Sequence, residues 1–327
     1  MNKTAAPGPT PRPARPVPPL GRALCAMITP FTDSGGLDLD GAQRLAARLL
    51  AGGCDGLVLN GTTGESPTTT DAEKTALVRA VREAAGEGVP VIAAVGSADT
   101  RHTVELALAA GRAGADAVLV VTPYYSTPPQ EAVAAHFRTV ADSCGLPVVL
   151  YDIPGRTGTR IEPDTMLRLA EHPRIVAVKD CSYDFLAAQK LLARTELAFY
   201  AGCDEHNLAL YAVGGTGYVS TVANVAPRHM RAVLDAFDAG DTAGAARLQQ
   251  EATELVESVM SSGLPGTVTV KGLLNALGLP AGPVRPPLLP AAPETVAHLL
   301  AAHERLTADT PEAAEPAGRA PCRTVAG

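Results

Sequence analysis

Eight short apolar runs, each followed by an amphipathic stretch, constrain this chain more than any other feature. The runs lie at 23–30, 56–61, 89–96, 117–123, 147–154, 175–181, 197–204 and 217–224. They are built from Val, Ile, Leu and Ala with little polar alternation, as strands buried on both faces are. Between them, Asp38–Ala51, Asp71–Ala85, Thr103–Ala113 and Pro129–Ser143 carry helical periodicity and open on residues that start helices. Alternating strand and helix predicts a parallel sheet covered on both sides. Eight such units predict a closed (β/α)8 TIM barrel, an α/β fold. A doubly wound open sheet would place a GxGxxG turn after the first strand. Here that strand runs into Ile28-Thr29-Pro30-Phe31 instead.

The expected barrel occupies 20–225. A C-terminal α-helical extension occupies 226–306, with helices at 227–239, 241–262, 267–277 and 293–306. The Pro-rich ends, 1–19 and 307–327, read as disordered tails, because they hold too little apolar side chain to offset the entropy of ordering. The start lacks the apolar centre of a secretory signal, and no run approaches the roughly 18 residues of a membrane-spanning helix. A net charge of −7 with no basic patch speaks against nucleic acid and anionic membranes. Six scattered cysteines form no CxxC pair, and the histidines do not fall at metal-ligand spacing. A cytoplasmic protein with reduced thiols and no bound metal is expected.

In such a barrel, chemistry sits where strands end at their C-terminal side. The second run ends in Gly61-Thr62-Thr63-Gly64-Glu65-Ser66, the fourth in Thr122-Pro123-Tyr124-Tyr125. The fifth ends in Tyr151-Asp152-Ile153-Pro154-Gly155-Arg156-Thr157-Gly158, the sixth in Lys179-Asp180, the seventh in Gly202-Cys203-Asp204, and the eighth carries Val219-Ser220-Thr221. Lys179 stands out: the chain has five lysines against 22 arginines, and this one closes a β-branched strand. Burying an ammonium is costly. Such a lysine either pairs with a neighbour such as Asp180 or has a depressed pKa and serves as a nucleophile that forms a Schiff base with a ketone. Taken singly, the other strings have plain structural readings too. Gly61–Gly64 makes a turn, Tyr124-Tyr125 pack, Arg156 meets a surface acid, and Asp152 and Asp204 cap strand ends. Their joint placement on one rim favours imine chemistry on a keto acid.

The strings GTTGES, TPYY, YDIPGRTG and VKD, in this order and spacing, resemble the dihydrodipicolinate synthase / N-acetylneuraminate lyase family over roughly residues 22–305. The Ser66–Lys74 continuation is similar to the actinobacterial form of the synthase branch. The resemblance implies that Lys179 captures pyruvate as an imine and that Tyr151 moves protons above it. It implies that Thr62 and Tyr125 complete a relay, with Tyr125 supplied by the neighbouring subunit. Thr63 beside Thr62 would hold the pyruvate carboxylate, and Arg156 that of the second substrate, L-aspartate 4-semialdehyde. Gly202 and Val219 would line the pocket. The implied assembly is a homotetramer, a dimer of dimers, and no cofactor is needed because the imine is the electron sink.

Departures from the family pattern are Cys181-Ser182-Tyr183 after the lysine, Cys203 after Gly202, and the Gly263–Lys271 segment, which lacks the Asn-Pro-Ile-Pro loop of other synthases. They leave open a related pyruvate-dependent aldolase or keto-acid dehydratase. A catalytically inactive barrel serving as a regulatory or assembly partner is the alternative of another class.

Overall fold

The computed structural model describes residues 20–308. The apolar runs pair in sequence order as β1 (Ala23–Ala26), β2 (Gly56–Leu59), β3 (Val91–Ala94), β4 (Ala117–Val121), β5 (Val148–Asp152), β6 (Ile175–Asp180), β7 (Ala198–Ala201) and β8 (Gly217–Ser220). All pairings are parallel, and β8 returns to β1, so the barrel is closed. Closure depends on Gly217, since a Cβ there would sit 1.9 Å from the carbonyl oxygen of Arg22.

The continuous apolar character of the strands follows from burial on both faces. Leu24, Ala26, Val58, Ile92, Leu119, Val149, Tyr151, Ala177, Tyr200 and Val219 pack together inside the barrel. The alternate residues, such as Cys25, Leu57, Val91, Val118, Leu150, Val178 and Phe199, pack outward against the helices. Lys179, two residues beyond Ala177, shares the inward phase.

The surrounding helices are α1 (Leu39–Ala51), α2 (Asp71–Ala85), α3 (Thr100–Arg112), α4 (Gln130–Cys144), the single turn α5 (Pro154–Thr157), α6 (Pro163–Ala170), α7 (Phe185–Leu192) and α8 (Asn207–Ala212). Their starts are written in the sequence. Asp38, Asp99 and Asp184 accept backbone N–H groups at the starts of α1, α3 and α7, and Thr70 forms a reciprocal capping box with Glu73 at α2. The Asp99 cap sets the start of α3 at Thr100, three residues before the expected Thr103.

After β8 come α9 (Pro227–Asp238), α10 (Thr242–Glu251), α11 (Thr253–Met260), α12 (Gly266–Ala276) and α13 (Pro293–Thr307). Arg231 of α9 reaches Asp55 at 2.7 Å, tying α9 to the barrel wall. The single helix expected over 241–262 is two, α10 and α11, meeting at the buried Ala252. Backbone hydrogen bonds run on across Ala252, and no sequence signal marks the break. Thr307 closes α13 rather than opening a tail. The tails expected at 1–19 and, from 309 on, over 307–327, with Cys322, lie outside the described residues. Among the described residues, no helix is long and apolar enough to cross a membrane, and no group of His, Cys, Asp or Glu is placed to hold a metal ion.

Candidate active site

The apolar runs continue past the last paired residue of most strands, and those continuations fold over the barrel mouth. Lys179 sits there, 5% exposed, with Tyr151 and Tyr200 as its register partners on β5 and β7. Its Nζ lies 4.5 Å from the centre of the Tyr151 ring. The Tyr151 oxygen is near enough to bear on the Lys179 amine, and the Tyr151 hydroxyl meets Thr62 Oγ1 at 3.5 Å. Lys179, Tyr151 and Thr62 therefore form one contiguous polar chain in an otherwise apolar barrel mouth.

Burial pushes the Tyr151 phenol up, so it stays neutral and able to donate a proton. For Lys179, burial disfavours the ammonium, but the oxygen of Tyr151 and the sulfurs of Cys181 and Cys203 favour it, and the net direction is upward. This corrects the expectation of a depressed Lys179. A shift in that direction favours the ammonium, which has to pass a proton to a neighbour before the amine can attack. Burial does depress Lys74 and Lys271, the latter to about 8 although it is held 2.6 Å from Glu65.

Thr62 and Thr63 owe their positions to a loop clamped from several sides. Thr63 Oγ1 meets Thr221 Oγ1 at 3.3 Å. Thr29 donates to the Gly64 carbonyl at 2.7 Å. Glu65 adopts a left-handed conformation with φ 57° and is buried. Its carboxylate pairs with Lys271 and accepts the Arg285 backbone N–H at 2.8 Å. Thr267, in the first turn of α12, donates to the carbonyls of Thr62 at 3.3 Å and Thr63 at 3.1 Å. The C-terminal helices thus hold the threonine loop from outside the barrel.

Gly202 lies directly against Lys179. A Cβ on it would fall 2.3 Å from Cys181 Sγ and 3.0 Å from Lys179 Cε, so only glycine fits. Val219 faces the same interior and is 1% exposed. Arg156, in α5, is exposed at the mouth, close enough to bear on the Tyr151 phenol. Its guanidinium forms no ion pair among the described residues. Tyr125 is not brought to the cleft of its own chain. It is 96% exposed, with φ 74°.

The two strand-end aspartates do behave as caps. Asp204 accepts the backbone N–H groups of Thr221 and Val222 at 3.0 and 3.1 Å and the Ser220 hydroxyl, fixing the turn after β8. Asp152 accepts the Ile161 N–H at 3.1 Å. Burial pushes the Asp152 carboxyl up to about 7, with Asp180 adding to the shift and the Ile161 N–H opposing it. A folded pKa raised above the unfolded one contributes stability that is complete below about pH 4 and is lost as pH rises through 7. Asp152→Asn keeps the acceptor for Ile161 and removes the charge. It is expected to stabilise the protein by on the order of 3 kcal/mol at pH 8 and by little at pH 4. Thermal melting of both proteins across that range checks this, and a difference independent of pH would contradict it.

Thr267 and the Glu65–Lys271–Arg285 group were not found from the sequence. One signal was there: Lys271 is the only charge within the apolar α12 segment.

A closed (β/α)8 barrel with a buried lysine beside a tyrosine at its C-terminal mouth is the arrangement that Schiff-base-forming lyases of aldolase type require. Known proteins make the assignment narrower. The family model described as the dihydrodipicolinate synthetase family matches residues 19–305, and the chain belongs to that family. It is 73% identical over 291 residues to the 4-hydroxy-tetrahydrodipicolinate synthase 1 of Streptomyces coelicolor, covering 89% of this chain and 95% of that one. The synthase of Acidothermus cellulolyticus is 55% identical over 281 residues, covering 86% and 91%. Among solved structures, a dihydrodipicolinate synthase from Bacillus anthracis superposes with a TM-score of 0.84 at 38% identity, covering 87% of this chain and 98% of the other.

Proposed function

We propose that this chain condenses pyruvate with L-aspartate 4-semialdehyde to give 4-hydroxy-tetrahydrodipicolinate, in the route to diaminopimelate and lysine. One observation carries the reading: Lys179 is buried at the barrel mouth in contact with Tyr151, which in turn reaches Thr62.

In this reading Lys179 gives up a proton and attacks C2 of pyruvate. Loss of water leaves an iminium, which draws electrons from C3 and acidifies its protons. The resulting enamine attacks the aldehyde of the semialdehyde. The amine that the semialdehyde already carries then attacks the imine carbon, expels the Lys179 amine and closes the six-membered ring. Tyr151, kept neutral by burial, hands protons to and from the reacting centre. Thr62 passes them on. Thr62 and Thr63 take the pyruvate carboxylate, and Gly202 and Val219 wall the pocket. The iminium is the electron sink, so the reading calls for no cofactor.

Arg156 takes the carboxylate of the second substrate as a charge-assisted fork. Arg156→Ala is expected to weaken the second half-reaction by about 1.5–3 kcal/mol, roughly 10- to 150-fold, while pyruvate imine formation survives. Equal damage to both half-reactions would show that the arginine is structural or serves pyruvate. The activity itself is tested by a coupled assay with pyruvate and the semialdehyde. Turnover with other aldehydes but not this one would favour a sister aldolase, for which Tyr183 and Cys203 at the mouth would be the determinants.

Tyr125 completes the relay of a neighbouring subunit, in a dimer of dimers. Its near-total exposure supports this, because a tyrosine at φ 74° on a bare loop gains nothing within its own chain. Mixed dimers of Tyr125→Phe and Lys179→Ala chains are expected to regain part of the activity that each homodimer lacks, since one site then holds both intact residues. A fully active monomer by sedimentation would contradict this arrangement.

A further inference from the structure

Two thiols that the condensation does not use lie against its nucleophile. Cys181 follows Lys179 by two residues at the end of β6, and Cys203 follows Gly202 at the end of β7. Both are buried, 6% and 8% exposed, among the residues that fill the barrel mouth. Asp180 and Ala201 are register partners, and the Gly202 N–H still donates to the Asp180 carbonyl at 2.8 Å. Adjacent strands lie about 4.8 Å apart and rise about 3.3 Å per residue, which puts the two cysteine Cα atoms roughly 6 Å apart. That falls in the range a disulfide spans. The two thiols are close enough that each bears on the other's ionisation.

We propose that Cys181 and Cys203 form a dithiol site for hydroperoxides, and that its oxidation to a disulfide stops Lys179 from capturing the keto acid. The proposal rests on the reading of Lys179 as the imine-forming residue.

The two thiols are unequal. The S–H of Cys181 directed at it holds Cys203 below the ordinary thiol range against the opposing effect of burial, whereas Cys181 is pushed well up. The Lys179 ammonium favours the thiolate of both. Cys203 is therefore the attacking sulfur and Cys181 the resolving one. The Cys203 thiolate attacks one oxygen of hydrogen peroxide, the O–O bond breaks, and hydroxide leaves to become water. Cys203 is now a sulfenic acid. The Cys181 sulfur, having lost its proton, attacks the Cys203 sulfur and expels the hydroxyl, which leaves as a second water. Two thiols and one peroxide become one disulfide and two waters. Each sulfur loses one electron, and the peroxide gains two.

The link to Lys179 is steric. The one position a Cβ on Gly202 would take is already met by Cys181 Sγ at 2.3 Å and by Lys179 Cε and Cγ at 3.0 Å, so there is no room for a methyl group. Drawing the two sulfurs to bonding distance pulls the Cys203 backbone, and Gly202 with it, towards β6. That movement presses on the lysine stem.

The experiment uses the full-length protein, treated with hydrogen peroxide and then with pyruvate and borohydride. Peptide mapping under non-reducing conditions is expected to show a 181–203 linked peptide. Borohydride trapping should slow tenfold or more and recover on thiol reduction. Cys203→Ser is expected to keep, after peroxide, the same rate of trapping it shows untreated, and Cys181→Ser provides a second test if that variant folds poorly. Prior imine formation with pyruvate should slow the oxidation. Failure of the 181–203 link to form, a link between Cys25 and Cys54 in its place, undiminished trapping in the linked protein, or equal loss in both serine variants would each overturn the proposal. The reduced protein's own trapping reports on Lys179 separately, so failure of the imine reading is distinguishable from failure of the thiol site.

Discussion

Lys179→Arg is expected to remove essentially all turnover and all pyruvate trapping. Arginine keeps the positive charge beside Tyr151 but its guanidinium does not deprotonate in a protein, so it offers no neutral amine. The loss should exceed that of any other single substitution, because the imine is the electron sink for every later step. The side chain is 5% exposed, and arginine is the larger group, so some loss of stability from overpacking is expected as well. A melting curve measured alongside separates the two effects. A folded variant with no trapping agrees with the account, and a folded variant that still forms a covalent pyruvate adduct does not.

Tyr151→Phe is expected to lower kcat by about 10²–10⁴-fold, the usual range for a positioned proton carrier. The substitution keeps the ring that lies 4.5 Å from the Lys179 ammonium and deletes the hydroxyl that meets Thr62. Since the phenol is buried, its partner Thr62 also loses a contact, but folding should survive. Steady-state kinetics on both substrates checks this. A loss under tenfold would mean that another group moves the protons.

The barrel was legible in the sequence because both faces of each strand are buried. A chain that must satisfy an inner and an outer core writes its strands as unbroken apolar runs, and eight of these between capped helices leave few other folds. What was less legible was where each run stops being strand. The 197–204 run pairs only over Ala198–Ala201, and its remainder, Gly202 to Asp204, is mouth. Apolar composition does not distinguish a strand from a loop that packs over the barrel.

At the site, the residues on strand ends were readable, since Tyr151 and Lys179 fall on the inward phase of neighbouring strands. The charge state of Lys179 was not. Its upward shift comes from Tyr151, Cys181 and Cys203, which reach it from β5 and from beyond the ends of β6 and β7. The support of the Thr62–Thr63 loop by Thr267 was hidden for a similar reason. That contact spans more than 200 residues of chain, and a threonine in the first turn of a helix reads locally as nothing more than a helix start.

The central claim is that Lys179 is the amine that captures the keto acid. The direct measurement is to incubate the protein with pyruvate, reduce with borohydride, digest it and locate the added mass. The account predicts one reduced pyruvate adduct per chain, on the peptide carrying Lys179. An adduct on Lys74, Lys190 or Lys271 instead, or no adduct in a folded protein, would contradict it.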